Sequence, residues 1–331
     1  MGPGPSPSAA FLQGRPCPSP SLILKNVVGS SHGWLITVGK ASVQLLNPIT
    51  RVHINLPKFP TVDGRNLEAV EAVLSSDPSR GGDYFVAFVF DCPSMEEDFL
   101  FLINAEDKKW KMITIGDYDY DYDDIAFHKG KLYAVTRSKE HDEVMVAAYD
   151  LIMLNSTPTW AMVALPDFIW VFDVVSYFLC TSSNDLLLTR IMRKKSEHYI
   201  NKWEVCKVKK VEDYINILDV FKVDTEKGVI IKMNNLGKYT LFLSAASSLC
   251  IDTSSLPDLR SNYIYILNDL CEIGYRDNLV YSMEDKTSTS VSLPPLSSRR
   301  RRWSALSSPK QLQRPVLVWF ALSIALHADP M

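Results

Sequence analysis

Ser31-His32-Gly33-Trp34-Leu35, then Leu45-Leu46-Asn47-Pro48-Ile49-Thr50-Arg51, closed by Leu56-Pro57, is the stretch whose reading decides the fold. Apolar runs rich in aromatic and β-branched residues are cut by Gly, by Asn-Pro and by Pro, which is the pattern of strand, turn, strand, turn, strand. Gly33 is expected to supply a tight backbone conformation, and Trp34 to fill space between neighbouring sheets.

The same pattern returns along the chain. A second unit runs from Ala72-Val73-Leu74 through Tyr84 to Phe90 and Phe99 to Leu102, turns over the polar residues Asn104 to Lys109, and ends in Trp110 to Ile113. A third holds Ile125-Ala126-Phe127, the turn His128-Lys129-Gly130-Lys131, Leu132 to Val135, Val144 to Asp150 and Trp160 to Leu165. Further starts are read at Leu186 to Leu188 with Lys202 to Val205, at Phe221 to Val223 with Val229 to Ile231, and at Tyr263 to Ile266 with Leu279 to Met283. Starts at intervals of roughly 40 to 50 residues suit four-stranded blades. The expectation is an all-β fold, a β-propeller of about six, with seven the alternative, irregular blades. Leu22-Ile23-Leu24 is the strand expected to complete the last blade, Tyr263 to Leu293, because such rings avoid open edges.

With 331 residues, 47% hydrophobic and 22% charged, the chain can build a sizeable core. A formal net charge of -3 gives no pull toward nucleic acid or anionic membrane. Residues 1–20 read as a disordered Pro/Ser/Gly-rich lead without the basic start and apolar core of a secretory signal. Arg15 and the lack of acidic residues leave organelle targeting as the minor alternative. Residues 21–295 read as the propeller and 296–331 as a divergent tail, first basic at Arg299 to Arg302, then apolar over Val316 to Ala325. That apolar run is about half of the ~20 residues a membrane-spanning helix needs. Cys17, Cys92, Cys180, Cys206, Cys250 and Cys271 form no Cys-x-x-Cys pair and suit reduced thiols of an intracellular, cytoplasmic or nuclear protein.

The Ser-His-Gly-Trp-Leu opening with Gly33 and Trp34, Leu-Leu-Asn-Pro-Ile-Thr-Arg with Asn47 and Pro48, and the block Asp123 to Val135 with Gly130 and Tyr133 carry a resemblance. Leu236-Gly237-Lys238-Tyr239-Thr240-Leu241-Phe242-Leu243, then Asn262 to Tyr265 and Tyr281 to Asp285, follow in matching order. Together they resemble the plant KIB-type β-propeller family, also described as domain of unknown function 295, over about residues 22 to 295, and ordered motifs at the blade period are more specific than any one alone. The resemblance implies the client-recognition half of a ubiquitin ligase receptor, in which an amino-terminal F-box docks on a Skp-type adaptor. No F-box is recognisable before Leu22, which leaves adaptor docking open. The expected partner is an unidentified client protein, bound by a monomer without catalysis or cofactor. The alternatives are a stand-alone binding or degenerate family member, and a propeller enzyme with carboxylates or His converging at the channel mouth.

Several local patterns invite chemistry. Gly29-Ser30-Ser31-His32-Gly33 matches Gly-x-Ser-x-Gly, but a strand follows it where a nucleophile elbow requires a helix. Asp117-Tyr118-Asp119-Tyr120-Asp121-Tyr122-Asp123-Asp124 has Tyr122 and His128 where a calcium loop needs Gly and Glu. It is expected to be a solvated loop entering the third unit, with Asp117, Asp119, Asp121 and Asp123 as a candidate edge for a basic partner. Alternation along an extended chain could give it one acidic and one aromatic row. Arg193-Lys194-Lys195-Ser196 is expected to be a charged hairpin turn. Asn155-Ser156-Thr157 is a formal glycosylation acceptor that an intracellular protein does not use. Trp110, Trp160, Trp170 and Trp203 are expected in the blade cores. No metal-ligand spacing is present.

Overall fold

The computed structural model describes residues 26–39, 42–105, 109–113, 120–138, 144–151, 159–162, 171–195, 214–244, 247–256, 259–266 and 278–291. The first blade is β1 (Asn26–Ser31), β2 (Trp34–Val38), β3 (Val43–Leu46) and β4 (His53–Leu56), in that order across the sheet. A short hairpin, β5 (Thr61–Val62) and β6 (Arg65–Asn66), leads to the second blade: β7 (Glu68–Leu74), β8 (Phe85–Cys92), β9 (Glu97–Asn104) and β10 (Trp110–Ile113). The third is β11 (Tyr120–His128), β12 (Lys131–Ser138), β13 (Val144–Asp150) and β14 (Thr159–Met162). The fourth is β15 (Val171–Cys180), β16 (Leu186–Lys195), β17 (Tyr214–Asp224) and β18 (Val229–Met233). The fifth runs across the sheet as β20 (Leu249–Asp252), β19 (Tyr239–Leu243), β21 (Tyr263–Ile266), β22 (Asn278–Ser282) and β23 (Thr287–Val291), with β19 and β21 parallel.

The propeller therefore has five blades among the described residues, not six or seven. The surplus came from reading hairpins inside one sheet as separate units: Leu188 pairs with Phe221, and Val223 with Ile230, so both sit in the fourth blade. Turn residues punctuate a hairpin and a blade boundary alike, and only the pairing register separates them. Arg193 to Lys195 form the end of β16, not a turn; the β15–β16 turn is Thr181 to Asp185. Leu22 to Leu24 lie outside the described residues, as do both terminal segments, Asn155 to Thr157, Trp170 and Trp203.

Each of the first four inner strands slips register once: between Val27 and Gly29, Ala69 and Glu71, Tyr122 and Asp124, and Val171 and Asp173. A bulge at this place bends the strand and re-aims the residue after it. Gly29, Glu71, Asp124 and Asp173 thus hold one equivalent backbone position in four successive blades.

The turns are built from local chemistry. His32 and Gly33 both have positive φ, as do Lys129 and Gly130, which makes each pair a tight two-residue hairpin. A strand follows Gly33, so the Gly-x-Ser-x-Gly match is a turn and not an elbow. Asn47 accepts hydrogen bonds through Oδ1 from the Ile49 and Thr50 amides, both at 3.0 Å, and caps the β3–β4 turn. Asn47→Ala should cost about 1 kcal/mol, by analogy with the loss of a helix cap, read as a shift in the urea midpoint at unchanged m.

Apolar packing binds adjacent blades. One cluster joins Trp34, Ile36 and Leu45 of the first blade to Leu74, Phe88 and Phe90 of the second. Trp110 completes it, with its ring edge-on to Phe88 and Phe90 and its indole N–H donating to the Lys58 carbonyl at 2.7 Å. Similar clusters lie between blades two and three, three and four, and four and five.

Candidate functional site

Polar side chains on and beside the inner strands link every blade to the next. Ser31 Oγ accepts from the Leu74 amide at 2.9 Å between blades one and two, and Asp98 accepts from the Tyr122 amide at 3.1 Å between two and three. Asp124 Oδ2 accepts from the Phe178 amide at 2.6 Å between three and four. Ser182 Oγ donates to Asp252 at 3.3 Å between four and five, and Ser247 Oγ donates to the Ser30 carbonyl at 3.1 Å, which closes the ring.

The most unusual chemistry in this ring is a carboxyl pair. Glu71 on β7 and Asp124 on β11 occupy the equivalent position after the bulge in adjacent blades, and their side chains hydrogen-bond to each other. Asp124 is 7% exposed, and its Oδ1 accepts from the Ile125 amide at 2.7 Å. Burial pushes both carboxyls above their ordinary range, Glu71 well above, and the neighbouring negative charge adds to it.

The candidate acidic edge is placed differently from its expectation. Asp117 and Asp119 lie outside the described residues, whereas Asp121 and Asp123 are on strand β11, not in a solvated loop. Asp123 is 8% exposed at its side chain and pairs with Arg137 Nη2 at 2.8 Å. Tyr122 packs onto the apolar cluster between blades two and three. The bulge at Tyr122 and Asp124 breaks strict alternation, so the run forms no clean pair of acidic and aromatic rows.

The family-motif residues are architectural in placement. Trp34 is 1% exposed, and Tyr133 is buried with its ring edge-on to His128. Leu236 is buried, its amide donates to Asn262 Oδ1 at 2.8 Å, and the positive φ of Gly237 turns the chain into β19. Phe242 stacks on Tyr265 across the parallel β19–β21 junction, ring centroids 4.8 Å apart.

Glu71 and the His128–Cys180 contact escaped the sequence reading. His128 Nδ1 lies 3.6 Å from Cys180 Sγ; Cys180 is exposed and Cys250, on the neighbouring inner strand, half-buried, yet the protein around each sulfur withholds enough water to push the thiols up, to about 11 and about 12. Both are thiols, not thiolates, at neutral pH. Among the described residues no three His, Cys, Asp or Glu side chains are arranged to hold a metal ion, and no helix is long and apolar enough to cross a membrane.

Residues 10–291 match the KIB1-4 β-propeller family, and the chain belongs to it. No curated protein matches the chain in sequence. Among solved structures, a prolyl endopeptidase is similar at a TM-score of 0.36 and 11% identity, over 78% of this chain and 33% of that one. Citrobacter koseri AztD is similar at 0.30 and 8% identity, over 80% and 70%. The extracellular domain of the putative one-component system BT4673 from B. thetaiotaomicron gives 0.24 and 10%, over 80% and 48%. The chain thus spans a third of the length of the prolyl endopeptidase.

Proposed function

We propose that this chain is a protein-recognition propeller without catalysis, the client-binding part of a ubiquitin ligase receptor. The observation that carries the reading is where the reactive groups are. Asp124 uses both oxygens on backbone amides of its own and the next blade, Glu71 is engaged with Asp124, and the thiols of Cys180 and Cys250 are held protonated. These groups brace the scaffold. The turns stay open to solvent, as at Ile49, Val52, Lys129 and Ser182, and a rigid ring that presents short turns is the usual platform for binding.

The free thiols of Cys92, Cys180 and Cys250 support a reducing, intracellular compartment. The test is capture of the whole chain from extract, read by mass spectrometry, followed by titration with purified Skp-type adaptor. Saturable adaptor binding together with a reproducible client supports a ligase receptor. A client without adaptor binding would replace it with a stand-alone binding protein, and no saturable protein partner would overturn recognition altogether.

A further inference from the structure

Glu71 and Asp124 are two acids in contact across the seam between blades two and three, and among the described residues no ion pair engages either. Among the described residues, the titratable groups that act on the pair are Asp123 and Cys180. Asp123, the neighbour on β11, adds negative charge, and Arg137 of β12 is bound to Asp123. From β15, Ser176 faces Asp123, and Cys180 brings a protonated thiol whose ionisation Asp124 opposes. Asp98 of β9 is engaged with the Tyr122 amide. Asp124 is buried and Glu71 half-buried; two carboxyls in direct contact oppose each other's ionisation, and such groups titrate as a pair.

We propose that Glu71 and Asp124 hold one proton between them and that this proton latches blades two, three and four, so that the ring loosens at this seam as the pH rises. The proton sits on Glu71, because Asp124 accepts two amide hydrogens, from Ile125 at 2.7 Å and Phe178 at 2.6 Å, whereas Glu71 only shares the Ile125 amide. Glu71 then donates to Asp124, and Asp124 carries the bond on to the fourth blade. Loss of the proton turns the donor into a second acceptor and sets two negative charges against each other.

The sign follows from proton counting. The folded chain keeps a proton that the unfolded chain releases above the ordinary carboxyl range, so the contribution is full at low pH and is lost as pH rises through the raised range of the pair. His128 works in the opposite sense, since burial lowers its affinity for a proton and its contribution is lost as pH falls. Asp77, Asp185 and Asp252 are lowered and act only at the acidic end. Asp123 is raised by burial and works in the same sense as the pair; comparison with a variant cancels the terms of groups that do not act on Glu71.

The experiment measures melting temperature between about pH 5.5 and 8.5 for the whole protein and for Glu71→Gln, whose amide donates the same bond without titrating. The fall in stability toward high pH should shrink by at least half in the variant, and the Phe178 amide should lose exchange protection at high pH only in the wild type. An equal pH slope in both proteins would overturn the proposal. Infrared difference spectra of the wild type give an answer even where Glu71→Gln does not fold: a protonated carboxyl band at neutral pH supports the shared proton, and its absence refutes it.

Discussion

Trp34→Ala should remove about 3–5 kcal/mol of stability, the range for truncating a fully buried aromatic side chain. Trp34 lies between the first two blades, in one cluster with Val28, Ile36, Leu45, Leu67 and Leu74. Its indole N–H donates to Asp77 Oδ1 at 2.8 Å, and Asp77 in turn caps a short 3-10 helix, Pro78–Arg80, through the Ser79 amide. The substitution therefore opens a cavity and strips a partner from the loop that joins β7 to β8. Total stabilities are about 5–15 kcal/mol, so one such loss moves a large fraction of the chain toward unfolding. Equilibrium urea denaturation checks it: the midpoint should fall at unchanged m, and Trp34→Phe should lose less than half as much because most of the volume stays. A loss below about 1 kcal/mol for Trp34→Ala would mean that the seam between these blades is not packed as described.

What was legible in the sequence is what short-range chemistry decides. Gly33, Asn47 and Gly130 announced their turns because positive φ and side-chain capping are properties of two to four consecutive residues. Trp34 announced its seam because a large aromatic beside a turn has nowhere else to be buried. The blade count was not legible, because the pairing of Leu188 with Phe221 spans a long connection, and because the parallel β19–β21 junction follows no hairpin rule. The carboxyl pair was only half visible. Asp124 stood out within an acidic run, but Glu71 is one charge among Ala69, Val70, Ala72 and Val73, and its partner is set by the closure of the ring. The bulge also hid the fate of Asp123 and Tyr122, since a single extra residue resets which face each side chain takes.

Gly29→Ala should be among the most damaging single substitutions in the chain, although it adds one methyl group. Gly29 holds in the first blade the place that Glu71 and Asp124 hold in the next two, and there the backbones of β1 and β7 come together directly. A Cβ at Gly29 would stand 1.9 Å from the Ala72 carbonyl oxygen, a contact that only a backbone shift can relieve. Overpacking of this kind costs about 3 kcal/mol or more, against about 1 kcal/mol for an alanine placed where only the backbone conformation resists it. Gly33 provides that control. It lies four residues on, at φ +78° with open space around its missing side chain, so Gly33→Ala carries conformational strain and no clash. Hydrogen exchange should locate the difference: Gly29→Ala should deprotect β1 and the Leu74 amide that Ser31 accepts, while Gly33→Ala should leave that amide protected. Equal losses in the two variants would place the cost in backbone freedom and not in the approach of the two blades.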